Sequence, residues 1–249
     1  MSGCPTSVSR PIKTRPFGDG HERPGDRHSQ RPSALWPLFG LRVASGPLEL
    51  RPVTDDDLPA LADLALAGVH APEASPFINT WTDAPAEELG RNMARYYWSK
   101  RAEMSPARWT VDFVVRHHGE VVGVQGITAE NYRVTKTMET GSWVGLRHQG
   151  RGIGTLMRQS ICQFAFDCLD AAELTSGAWT DNAASLAVSR KVGYTPNGQR
   201  REERRAGEVA IMQDLVLTPA ALVRHGLELA VEGLPEVRAF LDLTEDSQS

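Results

Sequence analysis

Three glycines alternate with other residues in the segment Gln149–Thr155, which reads Gln-Gly-Arg-Gly-Ile-Gly-Thr. Glycine lacks a Cβ atom and adopts positive φ without steric cost, so successive backbone amides of such a loop can point one way. Apolar residues then recur at helical spacing over 153–169, so the loop leads into a helix N-terminus, where an anion is favoured. Arg147 and Arg151 add positive charge. The segment therefore predicts a site for a diphosphate.

Three kinds of glycine loop fit this description to different degrees. A P-loop needs Gly-Lys-Ser/Thr, but Thr155 follows Gly154 with no lysine before it. A dinucleotide site needs Gly-x-Gly-x-x-Gly after the first strand of a parallel unit, whereas the spacing here is Gly-x-Gly-x-Gly. A tight turn that binds nothing is the simplest interpretation of an isolated glycine cluster. The choice therefore depends on the rest of the chain.

The residues before the loop alternate between strand and helix patterns. Leu48–Arg51 alternates apolar and polar side chains, as a strand does, and Thr54–Asp57 indicates a capping box for a helix that ends near Gly68. A polar and aromatic connection follows over 69–82, and Pro85 opens a second helix. The order is strand, helix, connection, helix.

A hairpin and a third strand lead directly to the glycine loop. Trp109–Arg116 and Glu120–Ala129 are rich in strand-forming residues and are joined by His117-His118-Gly119, which predicts an antiparallel hairpin. A further run, Thr137–Leu146, is expected to pair with it. The loop thus follows an antiparallel meander.

The residues after the loop helix complete a mixed sheet. Leu174–Trp179 predicts a short strand, and Asp181-Asn182 caps a helix that ends at Gly193. Thr195–Glu203 and Glu208–Leu217 are expected to form a second hairpin.

The ends of the chain differ from this middle part. Residues 1–33 are rich in Arg, Pro, Gly and Ser with almost no apolar periodicity, which predicts a disordered extension. Residues 34–218 form the predicted folded domain. Thr218-Pro219 opens a C-terminal extension over 219–249, in which Ala220–Leu243 is expected to form one or two helices.

Composition narrows the classes of partner. A net charge of −4 gives no overall basic field for nucleic acid, and no apolar run is long enough for a membrane span. The three cysteines have no metal-type spacing, and Cys162 and Cys168 fall in a helical pattern as packing residues. We therefore expect a cytoplasmic protein without a metal site.

The loop and a later helix together resemble the GNAT superfamily of N-acyltransferases. The superfamily motif is Gln/Arg-x-x-Gly-x-Gly/Ala, and Gln149–Gly154 matches each fixed place. A second family element is an asparagine that opens the next helix, with set positions after it. Those positions are filled here by Asn182, Ser185, Val188, Ser189 and Gly193-Tyr194.

Three segments look most like the branch that contains ribosomal-protein N-terminal acetyltransferases and related succinyltransferases. They are Leu48–Leu58, Glu139–Val144 and Asp181–Tyr194. The resemblance extends from about Leu35 to Thr218. It implies an α/β fold with a mixed, mostly antiparallel sheet of about seven strands flanked by helices, here with a C-terminal helical extension.

The resemblance implies acetyl-CoA, or another acyl-CoA such as succinyl-CoA, as co-substrate. The pantetheine arm would lie between Trp143-Val144 and Ala178-Trp179, and a backbone amide near Val144 would stabilise the tetrahedral intermediate formed by direct attack of an amine. The implied CoA-binding residues are Trp143, Val144, Gln149, Gly150, Arg151, Gly152, Ile153, Gly154, Thr155, Asn182, Ser185 and Ser189.

Catalytic roles are implied for two residues. Glu139 would take the proton of the amine directly or through water, or would instead be a structural carboxylate. Ser189 stands where relatives commonly have a tyrosine that protonates the departing thiolate, and it could relay a proton or bond the sulfur. Asp181 is a lesser candidate for the base, and Tyr194 is expected in the core.

The acceptor is expected to be a primary amine of a small molecule or a protein N-terminus. The candidate acceptor contacts are His70, Phe77, Trp81 and Trp179, although a histidine near a helix end, such as His70, is more often a cap or a surface group. A succinyl donor would need a basic side chain near the cleft, for which Arg133 and Lys136 are candidates that the sequence does not place. A homodimer is compatible with the resemblance, and so is a CoA-binding module without turnover.

Overall fold

The computed structural model describes residues 32–71 and 73–243. In this part of the chain, strands form one sheet: β1 (Arg42–Ser45), β2 (Leu48–Pro52), β3 (Arg108–His117), β4 (Glu120–Glu130), β5 (Thr137–Val144), β6 (Glu173–Trp179), β7 (Thr195–Arg205), β8 (Glu208–Leu217) and β9 (Ala230–Glu232). The helices are α1 (Pro32–Leu35), α2 (Leu58–Leu66), α3 (Ala86–Ala102), α4 (Tyr132–Thr135), α5 (Ile153–Leu169), α6 (Ala183–Val192) and α7 (Leu234–Phe240). None of these described helices has the length and apolarity that crossing a membrane would require.

The strand order is β7-β8-β6-β5-β4-β3-β2-β1-β9. Every neighbouring pair is antiparallel except β5 and β6, which are parallel. The prediction of a mixed, mostly antiparallel sheet flanked by helices is confirmed. The described sheet has nine strands rather than about seven, because β1 and β9 extend one edge.

Each face of the sheet is covered by its own helices. On one face, α5 buries Ile153, Met157, Ile161 and Phe164 against the central strands, and α6 packs beside it. On the other face, α2 and α3 form a smaller core with the side chains of β3 and β4 that point that way. We call these the α5 face and the α2/α3 face. Full burial of one such large apolar side chain contributes about 1.5–3 kcal/mol, so both layers stabilise the sheet.

The β3–β4 hairpin forms where the sequence predicts it. His118 and Gly119 both have positive φ (51° and 82°), which suits a tight turn whose twist matches that of the strands. β4 pairs with β3 along one edge and with β5 along its other edge, so the hairpin supplies the strand against which β5 pairs.

The prediction of one or two helices over 220–243 is wrong for most of its length. Only α7 is helical, and β9 instead pairs antiparallel with β1. Gly226 and Gly233 have φ of 78° and 73°, which interrupts a helix, and the open edge of β1 supplies backbone partners that a local helical pattern does not reveal.

The disorder predicted for residues 1–33 falls almost entirely outside the described residues. The last two residues of that range, 32 and 33, belong to the short helix α1 (Pro32–Leu35).

Candidate active site

A gap opens between the two parallel strands at the centre of the sheet. β5 and β6 pair only at Thr137–Glu139 with Glu173–Thr175. Beyond that point β5 continues to pair with β4, and β6 with β8, but not with each other. The facing strand edges therefore leave room for an extended ligand that adds like a strand.

Alternate residues of β5 direct their backbone groups into this gap. The Gly145 amide donates to a β4 carbonyl, whereas the Val144 carbonyl accepts from Gln149 on the opposite side. The Thr140 carbonyl accepts from a serine hydroxyl of β6. Because a residue's N–H and C=O point the same way in a strand, the amides of Ser142 and Val144 face the gap.

The glycine loop lies at the open end of the gap. Gly150 and Gly152 have φ of 73° and 81°, and Gly152 is the N-cap of α5. A Cβ atom at either position would meet no protein atom within 4 Å, so backbone conformation rather than crowding requires glycine. Among the described residues, none accepts a hydrogen bond from the amides of 150–154. These amides and the open space above them suit a diphosphate.

Other residues of the loop segment hold it in place. The Gln149 side-chain amide donates to the carbonyls of Val69 (2.7 Å) and Val144 (2.8 Å), so it anchors the loop. Arg147 donates to Glu120, while Arg151 is exposed beside the glycines.

The start of α6 borders the same region. Asn182 is its N-cap and accepts from the Ser185 amide at 3.1 Å, as the sequence predicts. Ser189 is 1% exposed, and its hydroxyl has no hydrogen-bond partner among the described residues. Val188 and Val144 both lie within 4 Å of a Cβ placed on Gly154, so α6, β5 and the loop converge.

A buried arginine lies on the α5 face of the gap. Arg158, in the second turn of α5, is 4% exposed. Its guanidinium donates to the Ser142 hydroxyl of β5 (2.8 Å) and the Ser176 hydroxyl of β6 (3.2 Å), so it bridges the two separated strands.

A hydroxyl network lies beside this arginine. The Tyr194 hydroxyl contacts the Thr140 hydroxyl at 2.7 Å and the Cys162 sulfur at 3.5 Å. Burial raises the pKa of the Cys162 thiol to about 11 and that of Tyr194 well above its usual value. Both groups stay neutral, and Tyr194 is the core residue that the sequence predicts.

A chain of aromatic rings crosses the α2/α3 face. His70 contacts Phe77, Phe77 contacts Trp81, and Trp81 contacts Trp143, with ring centroids 5.3–5.8 Å apart. Trp179 joins them through its indole N–H, which donates to the Phe77 carbonyl at 3.2 Å. The four candidate acceptor contacts are thus neighbours.

His70 uses both ring nitrogens within the protein. Nδ1 lies 2.8 Å from the Ala71 carbonyl, and Nε2 lies 2.8 Å from the Thr82 hydroxyl. Since a carbonyl only accepts, Nδ1 donates to it, while Nε2 shares a hydrogen bond with the Thr82 hydroxyl. An amine could use His70 as a base only by displacing Thr82, which favours a structural role.

An open cavity of about 820 Å³ lies between the 78–84 segment and the tip of the β7–β8 hairpin. Of the candidate acceptor contacts, Trp81 lines it. The hairpin contributes Glu203, Arg204 and Arg205. The Arg204 guanidinium lies 4.9 Å from the Trp179 ring centroid and pairs with Asp181, which is thereby engaged as an ion-pair partner.

Glu139 is exposed on β5 at the closed end of the gap. Its neighbours Met138 and Thr140 are buried, so alternation places its side chain on the α2/α3 face. Within the described residues it makes no hydrogen bond or ion pair, which disfavours the structural-carboxylate interpretation. At about 3.3 Å per residue, Val144 lies about 16 Å further along the strand, whereas Ser142 lies about 10 Å away. Of these two gap-facing amides, that of Ser142 is therefore the nearer to Glu139 along the strand.

Arg133 and Lys136 precede the closed end of the gap. Arg133 pairs with Asp242, and the Lys136 ammonium lies 5.2 Å from the Tyr132 ring centroid. Both belong to the segment before β5, at its paired end. Their assignment as candidate contacts for a succinyl carboxylate stays a prediction.

Sequence reasoning missed Arg158 and the hairpin residues of the cavity. Arg158 carries a readable signal, because helical spacing puts it on the apolar stripe with Ile161 and Cys162. The residues of the β7–β8 hairpin carry no such signal in the sequence, since a run of charged residues does not reveal which segment of the fold it faces.

Comparison with known proteins gives consistent matches. The family model described as the acetyltransferase (GNAT) domain matches residues 47–195. The fold is also similar to several solved structures. One is Mycobacterium smegmatis RimJ in complex with CoA-disulfide, with 20% identity over 82% of this chain and 95% of that chain, and a TM-score of 0.63.

Two further structures share the fold. RimL, the ribosomal L7/L12 alpha-N-protein acetyltransferase, in complex with coenzyme A, is 21% identical over 70% of this chain and 96% of its own, with a TM-score of 0.57. A Salmonella typhimurium acetyl transferase that modifies the N-terminal serine of the 50S subunit protein L7/L12 is 21% identical over 69% and 95%, with a TM-score of 0.56.

Proposed function

Because the chain belongs to the acetyltransferase (GNAT) family, we propose that it transfers an acetyl group from acetyl-CoA to a primary amine, with a protein N-terminus as the leading acceptor class. The observation that carries the proposal is the gap between β5 and β6 that ends at an open glycine loop. Bound acetyl-CoA supplies the activated acyl thioester.

The amides of residues 150–154 and the N-terminus of α5 bind the diphosphate in this proposal. The β5 edge of the gap pairs with the pantetheine arm, and the Ser142 amide donates to the thioester carbonyl. A preorganised donor of this kind typically contributes around 3 kcal/mol to the transition state. We assign this role to Ser142 rather than to Val144 because the Ser142 amide lies nearer to Glu139 along the strand.

Proton transfer falls to Glu139 and Ser189. The amine nitrogen bonds to the carbonyl carbon, the C–S bond breaks, and Glu139 takes the amine proton directly or through water. The buried Ser189 hydroxyl, unpartnered among the described residues, donates a hydrogen bond to the departing sulfur, which leaves as a thiolate and takes its proton from solvent. A thiol with a pKa near 8.5 is already a good leaving group, so a strong acid is not required.

The acceptor enters from the α2/α3 face in this proposal. The cavity beside Trp81 is open enough for a peptide end, and an α-amino group with a pKa near 8 is partly neutral at pH 7. Two of the proteins with a similar fold are acetyltransferases of the N-terminus of the ribosomal protein L7/L12, which supports the same class.

The test is thiol release from acetyl-CoA with a panel of peptides and small amines, followed by mass-spectrometric mapping of the product. Each peptide is paired with an N-terminally blocked copy. We expect release with free N-termini and none with the blocked copies. Transfer only to polyamines would overturn the acceptor class. CoA binding without thiol release for any amine would overturn the enzyme and leave a CoA-binding module.

A further inference from the structure

A group of basic side chains lies beside the glycine loop, where the β3–β4 turn approaches the end of β5. The Arg147 guanidinium donates to Glu120, the first residue of β4, at 3.0 Å and to the His148 ring at 2.9 Å. The His117 and His118 rings, at the turn, have centroids 4.5 Å apart. Together with the arginine of the loop itself, we call these residues the basic cluster: His117, His118, Arg147, His148 and Arg151.

The protein does not neutralise the charge of the basic cluster. Arg147 pairs with Glu120, but no carboxylate of the described residues pairs with Arg151. Burial lowers the pKa of His117, and the neighbouring His118 and Arg151 lower it further, with no described carboxylate acting against them. Positive charge is therefore in excess at this end of the sheet.

The basic cluster is open to a ligand. His118 and Arg151 are exposed, and His117 is half-buried. Neither histidine ring makes a hydrogen bond to another residue of the described chain. A Cβ atom on Gly119 or Gly150 would meet no protein atom within 4 Å, so the turn and the loop both border free space. An anion can therefore reach these side chains from solvent without any rearrangement of the core.

CoA carries one anionic group that the loop amides do not bind in the proposed function. Those amides and the N-terminus of α5 bind the diphosphate, but CoA has a third phosphate on the 3′ oxygen of its ribose. Only the ribose separates this phosphate from the diphosphate, and as a monoester it holds a charge of about −1.5 to −2 at pH 7. Histidine and arginine N–H groups bind such oxygens through charge-assisted hydrogen bonds. The basic cluster, next to the loop, supplies these donors.

We propose that His117, His118 and Arg151 bind the 3′-phosphate of the CoA donor. The protein then distinguishes CoA thioesters from thioesters of phosphopantetheine that lack this phosphate, such as those attached to a carrier protein. The inference rests on the proposed function, because it assumes that the diphosphate lies on the loop amides. It adds a contact from the β3–β4 turn, outside the glycine motif, that decides which donors bind.

The experiment compares CoA with 3′-dephospho-CoA, which differs only by the phosphate. Calorimetry at pH 7 and fixed ionic strength gives both dissociation constants, and transfer from the two acetyl thioesters is measured separately. We expect the wild-type protein to bind CoA at least ~10-fold more tightly than dephospho-CoA, a ratio that corresponds to one hydrogen bond to a charged group. Equal affinities would overturn the proposal without any variant.

The main variant is His117→Gln/His118→Asn, in which asparagine tolerates the positive φ of 51° of the second position. We expect it to weaken CoA binding about 10-fold while the affinity for dephospho-CoA changes less than about threefold. Arg151→Gln should also lower the preference for CoA. Arg95→Gln, which removes one exposed positive charge from α3, is the matched control and should keep the preference.

Two results with the variants would overturn the proposal. If the histidine variant weakens both ligands alike, the turn only supports the loop. If the preference for CoA is unchanged in the histidine variant and in Arg151→Gln, the phosphate is bound elsewhere. The wild-type comparison and Arg151→Gln stay decisive if the histidine variant does not fold.

Failure of the proposed function gives a different result. A preference for CoA that the histidine variant removes, without transfer to any amine, supports the phosphate site and removes the enzyme. Transfer from both acetyl thioesters, bound with equal affinity, keeps the enzyme and overturns the phosphate site. If the wild-type protein binds neither ligand, both proposals are overturned.

Discussion

The two faces of the sheet at the β5–β6 gap are built in different ways. On the α5 face, the site consists of backbone amides, glycines with positive φ and the helix cap Asn182, all within or next to short sequence motifs. On the α2/α3 face, it consists of side chains from distant segments, such as Trp81, Trp179 and Arg204. Recognition that uses backbone is encoded locally, whereas recognition that uses side chains depends on the completed fold.

The faces also differ in the sign of the charge that they bury. The α5 face holds Arg158, and the α2/α3 face holds Asp112, whose Oδ2 has no hydrogen-bond partner among the described residues. Burial raises the pKa of Asp112 to about 6, against the lowering effects of Tyr96 and Lys100. Substitutions on each face test whether the two faces serve separate substrates.

The largest effect is expected from Glu139→Gln. Loss of a general base typically lowers kcat by about 100-fold or more, whereas the dissociation constant of acetyl-CoA should stay unchanged. Steady-state kinetics and calorimetry measure the two quantities. Glu173→Gln, on the adjacent strand, is the control and should retain kcat. A kcat for Glu139→Gln within about threefold of wild type would exclude the residue as the base.

The next effect is expected from Gly152→Val. A β-branched residue at a φ of 81° is strained, so the loop amides should lose their alignment and CoA should bind about 30-fold more weakly. Gly226→Val is the matched control, because Gly226 has a φ of 78° and equally open surroundings but lies in the C-terminal segment. Equal losses of CoA affinity in both variants would indicate general destabilisation instead of a donor site.

Asp112→Asn is expected to change stability rather than turnover. The folded-state pKa lies above the unfolded value, so the folded protein holds the proton more tightly, and stability is lost as pH rises from about 4 to about 6. The variant should lack this loss and gain about 1–2 kcal/mol in the free energy of unfolding at pH 7. Urea denaturation at pH 4.5 and 7 measures it. Asp63→Asn, exposed on α2, should show no gain, and a destabilised Asp112→Asn would contradict the prediction.

The smallest effect is expected from Arg204→Gln. Loss of its contact with Trp179 and its pairing with Asp181 should raise the acceptor KM by about three- to fivefold, in line with one partly exposed cation–π contact. The CoA dissociation constant should not change. Arg201→Gln, exposed on the same strand, is the comparison. A weaker affinity for CoA in Arg204→Gln would break the separation between the two faces.

What the sequence could predict follows the same division. The limits of α5, the β3–β4 hairpin and the cap at Asn182 were predictable, because periodicity and capping act over a few residues. β1 and β9 were not, since their pairing joins Arg42 to Glu232 and depends on an edge that exists only in the folded chain. The hydrogen bond between His70 and Thr82 and the one between Gln149 and the Val69 carbonyl were not predictable either, because each joins residues that only the folded chain brings together.

The pairing of β9 with β1 brings the two ends of the described fold together. The Trp36 and Phe240 rings are 5.0 Å apart, and Gly233 lies so close to the Gly40 carbonyl that a Cβ would come within 2.4 Å of it. The first and last described segments are therefore neighbours in space, although the sheet itself stays open at β7 and β9. A short linker between these ends, with a new start at the His118-Gly119 turn, would therefore give a circular permutant in which every strand pair and the β5–β6 gap are kept.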